Sequence, residues 1–388
     1  MYFEFKLVKK DRSTRARTGL IKTPHGTIKT PAFSPVATQA SVKTLDIEDL
    51  SKTKTQVVLG NAYHLYLHPG LEVLKDFNGF TNFMSWSGPS ITDSGGYQVS
   101  FLWNRNKHKL AVSITDKGMY FRSHIDGTKH LLSPEISVDI QRTLAADIIM
   151  SFDQPLGINH KGNVEEMFSR TLNWEERTFK AWEAGGKKSV QNEYQALFGI
   201  IQGGLNKKLS RRSLKFILEM DFPGIAAGGE TIGKDPYLTA ETLEIIADLL
   251  PDDKPLHALG LGGGPEGIFA AVEAGVDIFD NSSITRIART GLLFIYPRDG
   301  GKVDNKFRID IKKSTYLHDK KPVSKVCSCY TCTNFSRAYL HHLMVRRELL
   351  GPRLATIHNV HYINDLMQSL RNAINNSDFQ GIRNEWLS

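Results

Sequence analysis

The sequence predicts an α/β fold in which eight parallel strands, alternating with helices, close into a (β/α)8 barrel. Short apolar or β-branched segments each end in a polar or glycine-rich step, and segments of helical period lie between them. No glycine-rich nucleotide fingerprint follows the first strand, which disfavours the alternative of an open, doubly wound sheet. The eight predicted strands are residues 30–38, 56–65, 90–93, 147–153, 197–204, 224–230, 256–263 and 277–283.

Seven helices are predicted between these strands from the spacing of their apolar residues. The third has a clear start, because Ser133 is a favoured N-cap residue and Pro134 suits the first helical position. The predicted helices are residues 41–52, 68–77, 133–146, 164–182, 207–220, 236–250 and 265–275.

Two stretches fall outside this alternation. Residues 110–132 alternate with period two around two turn sequences, which predicts a β-hairpin or meander inserted after the third strand. A cysteine-bearing segment and a helical tail follow the last strand. We therefore expect a barrel over residues 1–303, a metal-binding subdomain over 304–360, and a C-terminal helical segment over 361–388 that packs on the barrel.

Composition excludes several protein classes and leaves the partner open. Hydrophobic residues make up 40% and charged residues 23% of the 388 residues, which excludes a collagen-like, disordered or disulfide-scaffold chain. There is no apolar leader and no apolar run of membrane-spanning length, and three cysteines suit a reducing compartment, so we expect a cytoplasmic protein. The net charge of +8 favours a polyanionic partner without establishing one.

Polar residues lie at the ends of several predicted strands. Because the carboxyl ends of barrel strands share one face, these side chains are expected to meet in one cleft. A single aspartate at a strand end is also explained as an N-cap or turn residue. Two carboxylates beside one glycosidic bond allow double displacement, in which one attacks the anomeric carbon and the other protonates the leaving group. The strand-end residues are Asp93, Asp153, Gln202, Gly229, Glu230 and Asp280.

Glycine pairs and one aromatic residue indicate that this cleft binds a flat ligand. The pairs in DSGGYQ, IQGG and AAGGE let backbone amides approach a ligand closely. Tyr97 offers an aromatic face for stacking, and packing of its ring in the core is the structural alternative.

Cys327, Cys329 and Cys332 are the three cysteines of the chain and are close in sequence. Thiols at this spacing are typical zinc ligands, with three buried thiols without a metal as the alternative. A closed Cys3His site needs one histidine and holds a subdomain together, so we expect a structural Zn²⁺ ion. The candidate histidines are His341, His342, His358 and His361.

Several motifs follow one another in a single order over nearly the whole chain. They are TDSGGYQV (92–99), FRSHIDGTKHLLSPE (121–135), MSFD (150–153), GIIQGG (199–204), FDNSSITR (279–286) and C-x-C-x-x-C followed by His358-Asn359. In this set the chain resembles tRNA-guanine transglycosylases of the bacterial type. The resemblance implies a TIM barrel with an inserted zinc-binding subdomain near its C-terminus. It also implies exchange of the wobble guanine of tRNA for a 7-deazaguanine base, a step of queuosine modification.

The resemblance further assigns roles to individual residues. Asp280 is the implied nucleophile, which forms a covalent bond to ribose C1′, and Asp93 is the implied general acid and base. Arg286 and Arg289 are expected to contact RNA, with exposure to solvent as the alternative. The implied base-binding residues are Ser94, Asp153, Gln202, Gly229 and Glu230, with Tyr97 and Leu259 on the two ring faces, and the implied zinc ligands are Cys327, Cys329, Cys332 and His358.

Two loops depart from the bacterial pattern of this family. Residues 281–284 lack the usual cysteine and proline. In the family this loop reads the bases beside the wobble guanine, so the change concerns tRNA sequence preference. In the loop after the sixth strand, Lys234 replaces the acidic residue that is usual in the family. An acidic residue, Glu230, instead lies four positions earlier in the same loop. We expect Glu230 to pair with the ammonium group of the base preQ1. Ile232, bulkier than the glycine of queuine-using relatives, also favours preQ1 over queuine.

Three alternative functions use part of the same pattern. A retaining glycoside hydrolase explains the carboxylate pair but not the cysteine cluster. A non-catalytic tRNA-binding relative is disfavoured because both aspartates are present, and a DNA-directed transglycosylase would share the chemistry. The bacterial members of the family are homodimers, so the expected partners are tRNA, a 7-deazaguanine base and a second copy of the chain, with no membrane.

Overall fold

The structure is a computed structural model that describes residues 2–105, 111–156, 163–229, 232, 235–261 and 264–387. Its strands are β1 (Glu4–Lys10), β2 (Arg17–Thr23), β3 (Gly26–Thr30), β4 (Ala32–Ser34), β5 (Val36–Ala37), β6 (Val58–Gly60), β7 (Ser90–Thr92), β8 (Ala111–Thr115), β9 (Gly118–Arg122), β10 (Lys129–Leu132), β11 (Ile148–Met150), β12 (Ala196–Ile201), β13 (Gly224–Ala227), β14 (Leu256–Ala258), β15 (Ile278–Asp280), β16 (Leu292–Phe294) and β17 (Arg308–Asp310).

Helices occupy most of the connections between these strands. None of those in the part of the chain that the structure describes combines the length and apolar character of a membrane span. They are α1 (Ile47–Lys52), α2 (Ala62–Leu65), α3 (Leu71–Asp76), α4 (Phe80–Phe83), α5 (Gly96–Arg105), α6 (Pro134–Leu144), α7 (Val164–Ala184), α8 (Lys207–Glu219), α9 (Pro236–Glu244), α10 (Pro265–Glu273), α11 (Ser283–Arg289), α12 (Tyr330–Asn334), α13 (Arg337–Arg346), α14 (Leu350–Asn375) and α15 (Phe379–Leu387).

Nine parallel strands form a nearly closed barrel in the order β4-β15-β14-β13-β12-β11-β7-β6-β5. β4 and β5 are two pieces of one strand that is interrupted at Pro35. Counted as one, they give the barrel the eight strands that the sequence predicts. β4 pairs with β15 at one end of the strand order, and β5 pairs with β6 at the other end. Because β4 and β5 are adjacent in the chain, the sheet curves round into a barrel. The predicted α/β barrel fold is therefore confirmed.

Some predicted element boundaries are wrong for local reasons. The predicted strand 56–65 ends at Gly60, because Asn61 caps a helix and its side chain accepts a hydrogen bond from the His64 N–H at 3.0 Å. The predicted helix 41–52 begins only after Asp46, whose carboxylate accepts from the Asp49 N–H at 2.8 Å in a capping box. In both cases a polar residue caps a helix inside the predicted element, so the observed strand or helix is shorter than predicted.

A three-stranded antiparallel sheet of β1, β2 and β3, which the sequence analysis did not predict, closes the N-terminal end of the barrel. Ile21 and Ile28 of this sheet belong to one buried cluster with barrel residues such as Phe198. Arg17 donates to the buried Asp277, which precedes β15, at 2.6 Å. The carboxyl ends of the barrel strands consequently form the open end.

The insertion after the third barrel strand forms an antiparallel sheet in the order β10-β9-β8. After the barrel, β16 pairs with β17, and α14 packs on α11, β16 and β4. Asn364 of α14 donates to the Thr53 carbonyl oxygen at 2.8 Å. Arg371 of the same helix donates to the Pro31 carbonyl oxygen at 2.7 Å. α14 continues through residue 360, at which the sequence analysis placed a boundary, so the division into domains stays a prediction.

Candidate active site

Asp93 directly follows β7, and its carboxylate accepts hydrogen bonds from several neighbouring donors. Asn61 Nδ2 donates to Oδ2 at 2.5 Å, and the Ala62 N–H donates to Oδ1 at 2.7 Å. Gln98 Nε2 donates to Oδ2 at 3.2 Å. Burial raises the pKa of Asp93 to about 7; the Ala62 N–H opposes this shift and the charge of Asp280 adds to it. A carboxyl group with this pKa can both give and take a proton near neutral pH.

Asp280 is the last residue of β15 and is 9% exposed. Its Oδ1 lies 3.0 Å from His257 Nε2 and accepts a hydrogen bond from the Gly260 N–H at 3.0 Å. Among the residues that the structure describes, no donor contacts Oδ2. Asp93 and Asp280 therefore lie at the same end of the barrel, as the sequence predicts, and the described residues leave one oxygen of Asp280 without a donor.

Asp153, beyond β11, and Gln202, directly after β12, form a second polar cluster. Gln202 Nε2 donates to Asp153 Oδ2 at 2.5 Å, and Gln202 Oε1 accepts from the Leu156 N–H at 3.2 Å. Gly229 has a φ of +97°, and a Cβ at this position would lie 3.2 Å from Gln202 Oε1. Burial raises the pKa of Asp153 to about 6, while the Gln202 amide lowers it. The cluster presents amide and carboxyl groups that could bind the edge of a heterocycle.

Three further predicted residues lie at the same end of the barrel. Leu259 follows β14, and a Cβ on Gly228 would meet Leu259 Cδ1 at 3.6 Å. Ser94 is buried, whereas Tyr97 of α5 is 51% exposed, so core packing does not explain this ring. Glu230 lies outside the described residues. The contacts of these four side chains with a base stay predictions.

Arg286 and Arg289 lie on α11, which begins shortly after Asp280. Arg286 is exposed, and Arg289 is half-buried and donates to Thr285 Oγ1 at 3.1 Å. Burial lowers the pKa of Arg289, and the charge of Arg286 adds to this, so the two guanidinium groups are close to one another. Contact of these arginines with RNA stays a prediction.

Several polar partners of the two carboxylates were not predicted from the sequence. Asn61 and Gln98 contact Asp93, and His257 contacts Asp280. His257 carried a usable signal, because it is a polar residue inside the otherwise apolar and buried strand β14. Parallel barrel strands are normally apolar throughout, so a histidine within one needs a specific partner.

Glu175 of α7 is a buried carboxyl group below the Asp153 cluster. Its Oε1 accepts from the Ile200 N–H at 2.9 Å, and Oε2 has no hydrogen-bond partner among the described residues. Burial raises the pKa of Glu175 well above its usual value, and the charge of Asp153 adds to the rise. Burial therefore favours the protonated form of this carboxyl group in the folded protein.

Glu175→Gln is expected to remove a dependence of stability on pH. A carboxyl group whose pKa is higher in the folded state contributes stability below its unfolded pKa, and this contribution falls as pH rises towards the folded pKa. The unsubstituted protein should therefore lose unfolding free energy relative to the Gln variant as pH rises from 5 to 8. Urea unfolding at both pH values measures this difference, and a constant difference would contradict the assignment.

Cys327, Cys329, Cys332 and His358 form a buried cluster whose ligand atoms all lie within 4.8 Å of one another. The three sulfur atoms lie 3.7, 3.6 and 3.3 Å from His358 Nδ1. His358 Nε2 lies 2.7 Å from the Phe294 carbonyl oxygen, which places a ring proton on Nε2 and turns Nδ1 towards the sulfur atoms. This donor set and tautomer fit a metal ion, and His358 is the histidine that the family resemblance implies.

A sequence model of the family described as "Queuine tRNA-ribosyltransferase" matches residues 11–388. The chain belongs to this family. A queuine tRNA-ribosyltransferase of Desulforamulus reducens is 42% identical over 100% of this chain and 98% of its own length. That of Halothermothrix orenii is 40% identical over 100% of this chain and 98% of its own length. That of Staphylococcus haemolyticus is 40% identical over 98% of this chain and 94% of its own length.

Membership in the queuine tRNA-ribosyltransferase family confirms the predicted enzyme class. These enzymes are tRNA-guanine transglycosylases, which are pentosyltransferases. The barrel with carboxylates at its open end and the possible metal site near the C-terminus agree with the fold that the family resemblance implied. A glycoside hydrolase, considered from the carboxylate pair alone, is not the family to which the chain belongs.

Proposed function

We propose that this enzyme exchanges the wobble guanine of tRNA for a 7-deazaguanine base by double displacement. The observation that carries this proposal is the pair Asp93 and Asp280 at one end of the barrel. Asp93 has a pKa of about 7, and Asp280 has one carboxylate oxygen that no donor among the described residues contacts. Asp280 attacks ribose C1′ while the bond to guanine breaks, and Asp93 donates a proton to the departing base. The incoming base, deprotonated by Asp93, then displaces Asp280 from C1′.

The Asp153 cluster supplies the recognition of the exchanged base. A base of a folded RNA has to leave its stack before its glycosidic bond is accessible, and the site then needs polar edge contacts and flat walls. Asp153 and Gln202 offer the edge contacts, and the turn at Gly229 allows the ligand to approach the backbone. In this proposal Tyr97 and Leu259 cover the two faces of the base.

Positive charge near the C-terminus supports tRNA as the partner. Residues 301–350 contain eleven Lys and Arg against four Asp and Glu, and so carry seven of the eight net positive charges of the chain. The side chain of Lys312 lies against Gly291, close to Arg289 in sequence, so this basic segment begins beside α11. Cations along such a surface attract phosphates. A homodimer and a cytoplasmic location stay predictions.

We assign Zn²⁺ to the Cys3His cluster. Three thiolates and one imidazole in a buried, four-ligand arrangement are the typical donor set of structural zinc. His358 comes from α14 and the cysteines from the segment around α12, so a bound ion ties these elements together. The cluster would supply stability and take no part in base exchange.

The pH dependence of base exchange tests the role of Asp93. The free enzyme needs a protonated Asp93 to donate to departing guanine, so kcat/KM for tRNA should fall as pH rises above about 7, following the raised pKa. Initial rates of guanine exchange from pH 6 to 9 measure this limb, with tRNA binding over the same range as the control. A rate that does not change across this range would mean that Asp93 is not the proton donor.

Glu230→Gln tests the identity of the incoming base. If Glu230 pairs with the ammonium group of preQ1, removal of its charge should raise the KM for preQ1 about tenfold or more. The KM for guanine, which lacks this group, should change little and serves as the internal control. An unchanged KM for preQ1 would contradict the pairing, and a lower KM for queuine than for preQ1 would contradict the preference.

Incorporation of labelled guanine into unmodified tRNA tests the proposed function. The intact, zinc-loaded protein should transfer the label to tRNA with guanine at the wobble position and not to the same tRNA with adenine there. Transfer to duplex DNA instead would favour the DNA-directed alternative. Binding of tRNA without transfer of the label would favour the non-catalytic alternative.

A further inference from the structure

His257 occupies an unusual position for a polar residue. It lies in the middle of β14, is fully buried, and pairs in register with Ile278 of the neighbouring strand β15. Its Nε2 lies 3.0 Å from Asp280 Oδ1, and its Nδ1 is buried without a hydrogen-bond partner among the described residues. The ring therefore makes one polar contact in the described part of the chain, and that contact is with Asp280.

The geometry selects one tautomer of His257. With the ring proton on Nε2, the imidazole donates to the carboxylate, and the buried Nδ1 carries only a lone pair. With the proton on Nδ1, two lone pairs would face one another between Nε2 and Oδ1, and the buried N–H would have no acceptor among the described residues. His257 is consequently a donor to Asp280.

A second donor acts on the same oxygen. The Gly260 N–H donates to Asp280 Oδ1 at 3.0 Å, and Gly260 has a φ of +68°, a conformation that glycine adopts without strain. Both donors thus contact Oδ1, while no described donor contacts Oδ2. Two hydrogen bonds to one oxygen fix the plane of the carboxylate and distinguish its two oxygens.

We propose that His257 is a positioning residue that holds Oδ1 of Asp280 so that Oδ2 is the attacking oxygen. This inference rests on the proposed function. In the first step the Oδ2–C1′ bond forms and the bond from C1′ to the base breaks, with its electron pair leaving on the base, which Asp93 protonates. In the second step the incoming base attacks C1′, and the electron pair of the Oδ2–C1′ bond returns to the Asp280 carboxylate. The Nε2–H of His257 then stabilises the charge that reappears on Asp280.

His257→Leu and His257→Gln test this inference, because leucine removes the donor while the glutamine amide retains one. At saturating tRNA, His257→Leu should lower the kcat of guanine exchange about 100-fold, with the KM for tRNA within about twofold of the original. The kcat of His257→Gln should be at least about tenfold higher than that of His257→Leu. His341→Leu is the control, since His341 is also buried but donates from Nδ1 to the Ile311 carbonyl oxygen at 2.9 Å, away from Asp280.

Three results would overturn the inference while the proposed function stands. These are an unchanged kcat in His257→Leu, a loss confined to KM, or equal losses in the Leu and Gln variants with equal falls in unfolding temperature. If His257→Leu does not fold, His257→Asn, whose shorter amide cannot reach Oδ1 from the same backbone, provides the comparison with glutamine. Absence of exchange by the unsubstituted protein would instead contradict the proposed function, and the inference with it.

Discussion

Asp280→Asn should reduce guanine exchange at least about 10⁴-fold and abolish the covalent protein–RNA intermediate. An amide has nearly the shape of the carboxylate, and its oxygen can still accept from His257 and Gly260, so the fold should be retained. It is, however, a very poor nucleophile towards C1′. Incorporation of labelled guanine and a denaturing gel of protein mixed with tRNA measure the two effects.

Asp139→Asn is the matched control for this substitution. Asp139 lies on α6, and its side chain is 73% exposed and takes part in a surface ion pair with Arg142. Surface pairs of this kind contribute little to stability, so the exchange activity should be within about twofold of the original. Substantial exchange by a correctly folded Asp280→Asn variant would contradict the assignment of Asp280 as nucleophile.

Loss of the metal site should have the largest effect on stability. Cys332→Ala removes one of four buried ligands, and we expect loss of bound zinc and a fall in unfolding free energy on the order of 5 kcal/mol. The cause is that His358 belongs to α14, which packs on α11 and β4, so the released cluster loosens contacts with the barrel. Metal content by elemental analysis and the unfolding temperature measure both effects.

Ser328→Ala is the control for the metal site, because Ser328 lies between two cysteines but is exposed and is not a member of the cluster. This variant should keep its metal and its unfolding temperature. Treatment of the unsubstituted protein with a strong chelator should reproduce the Cys332→Ala result. Full stability after removal of all metal would show that the cluster does not need an ion, and cobalt or iron in place of zinc would contradict the assigned metal.

The barrel was predictable because its strands are buried on both faces. Parallel strands of this kind appear in the sequence as short apolar runs, such as the run that contains β12 (Ala196–Ile201), and each run ends where the chain reaches the open end. The N-terminal sheet was missed because β1 alternates charged and apolar residues in a segment whose charge dominates its composition. Its pairing with β2 is a tertiary feature that local propensity does not specify.

The candidate site was predictable to the extent that it follows strand ends. Asp93 and Asp280 are placed by the barrel itself, whereas Asn61 contacts Asp93 from the end of a neighbouring strand and His257 contacts Asp280 from within β14. Such contacts depend on the order and register of strands, which spacing along the chain does not give. The same reason applies to His358, since four histidines satisfy the sequence requirement and the packing of α14 brings one of them to the cysteines.

Mass spectrometry of the trapped intermediate tests the central claim most directly. The protein is incubated with tRNA that has guanine at the wobble position, quenched by denaturation, treated with ribonuclease and digested with a protease. Double displacement through Asp280 predicts that one peptide, containing Asp280, carries the mass of a ribose-linked nucleotide remnant that lacks guanine. An adduct on another residue, or release of guanine without any adduct, would contradict double displacement through Asp280.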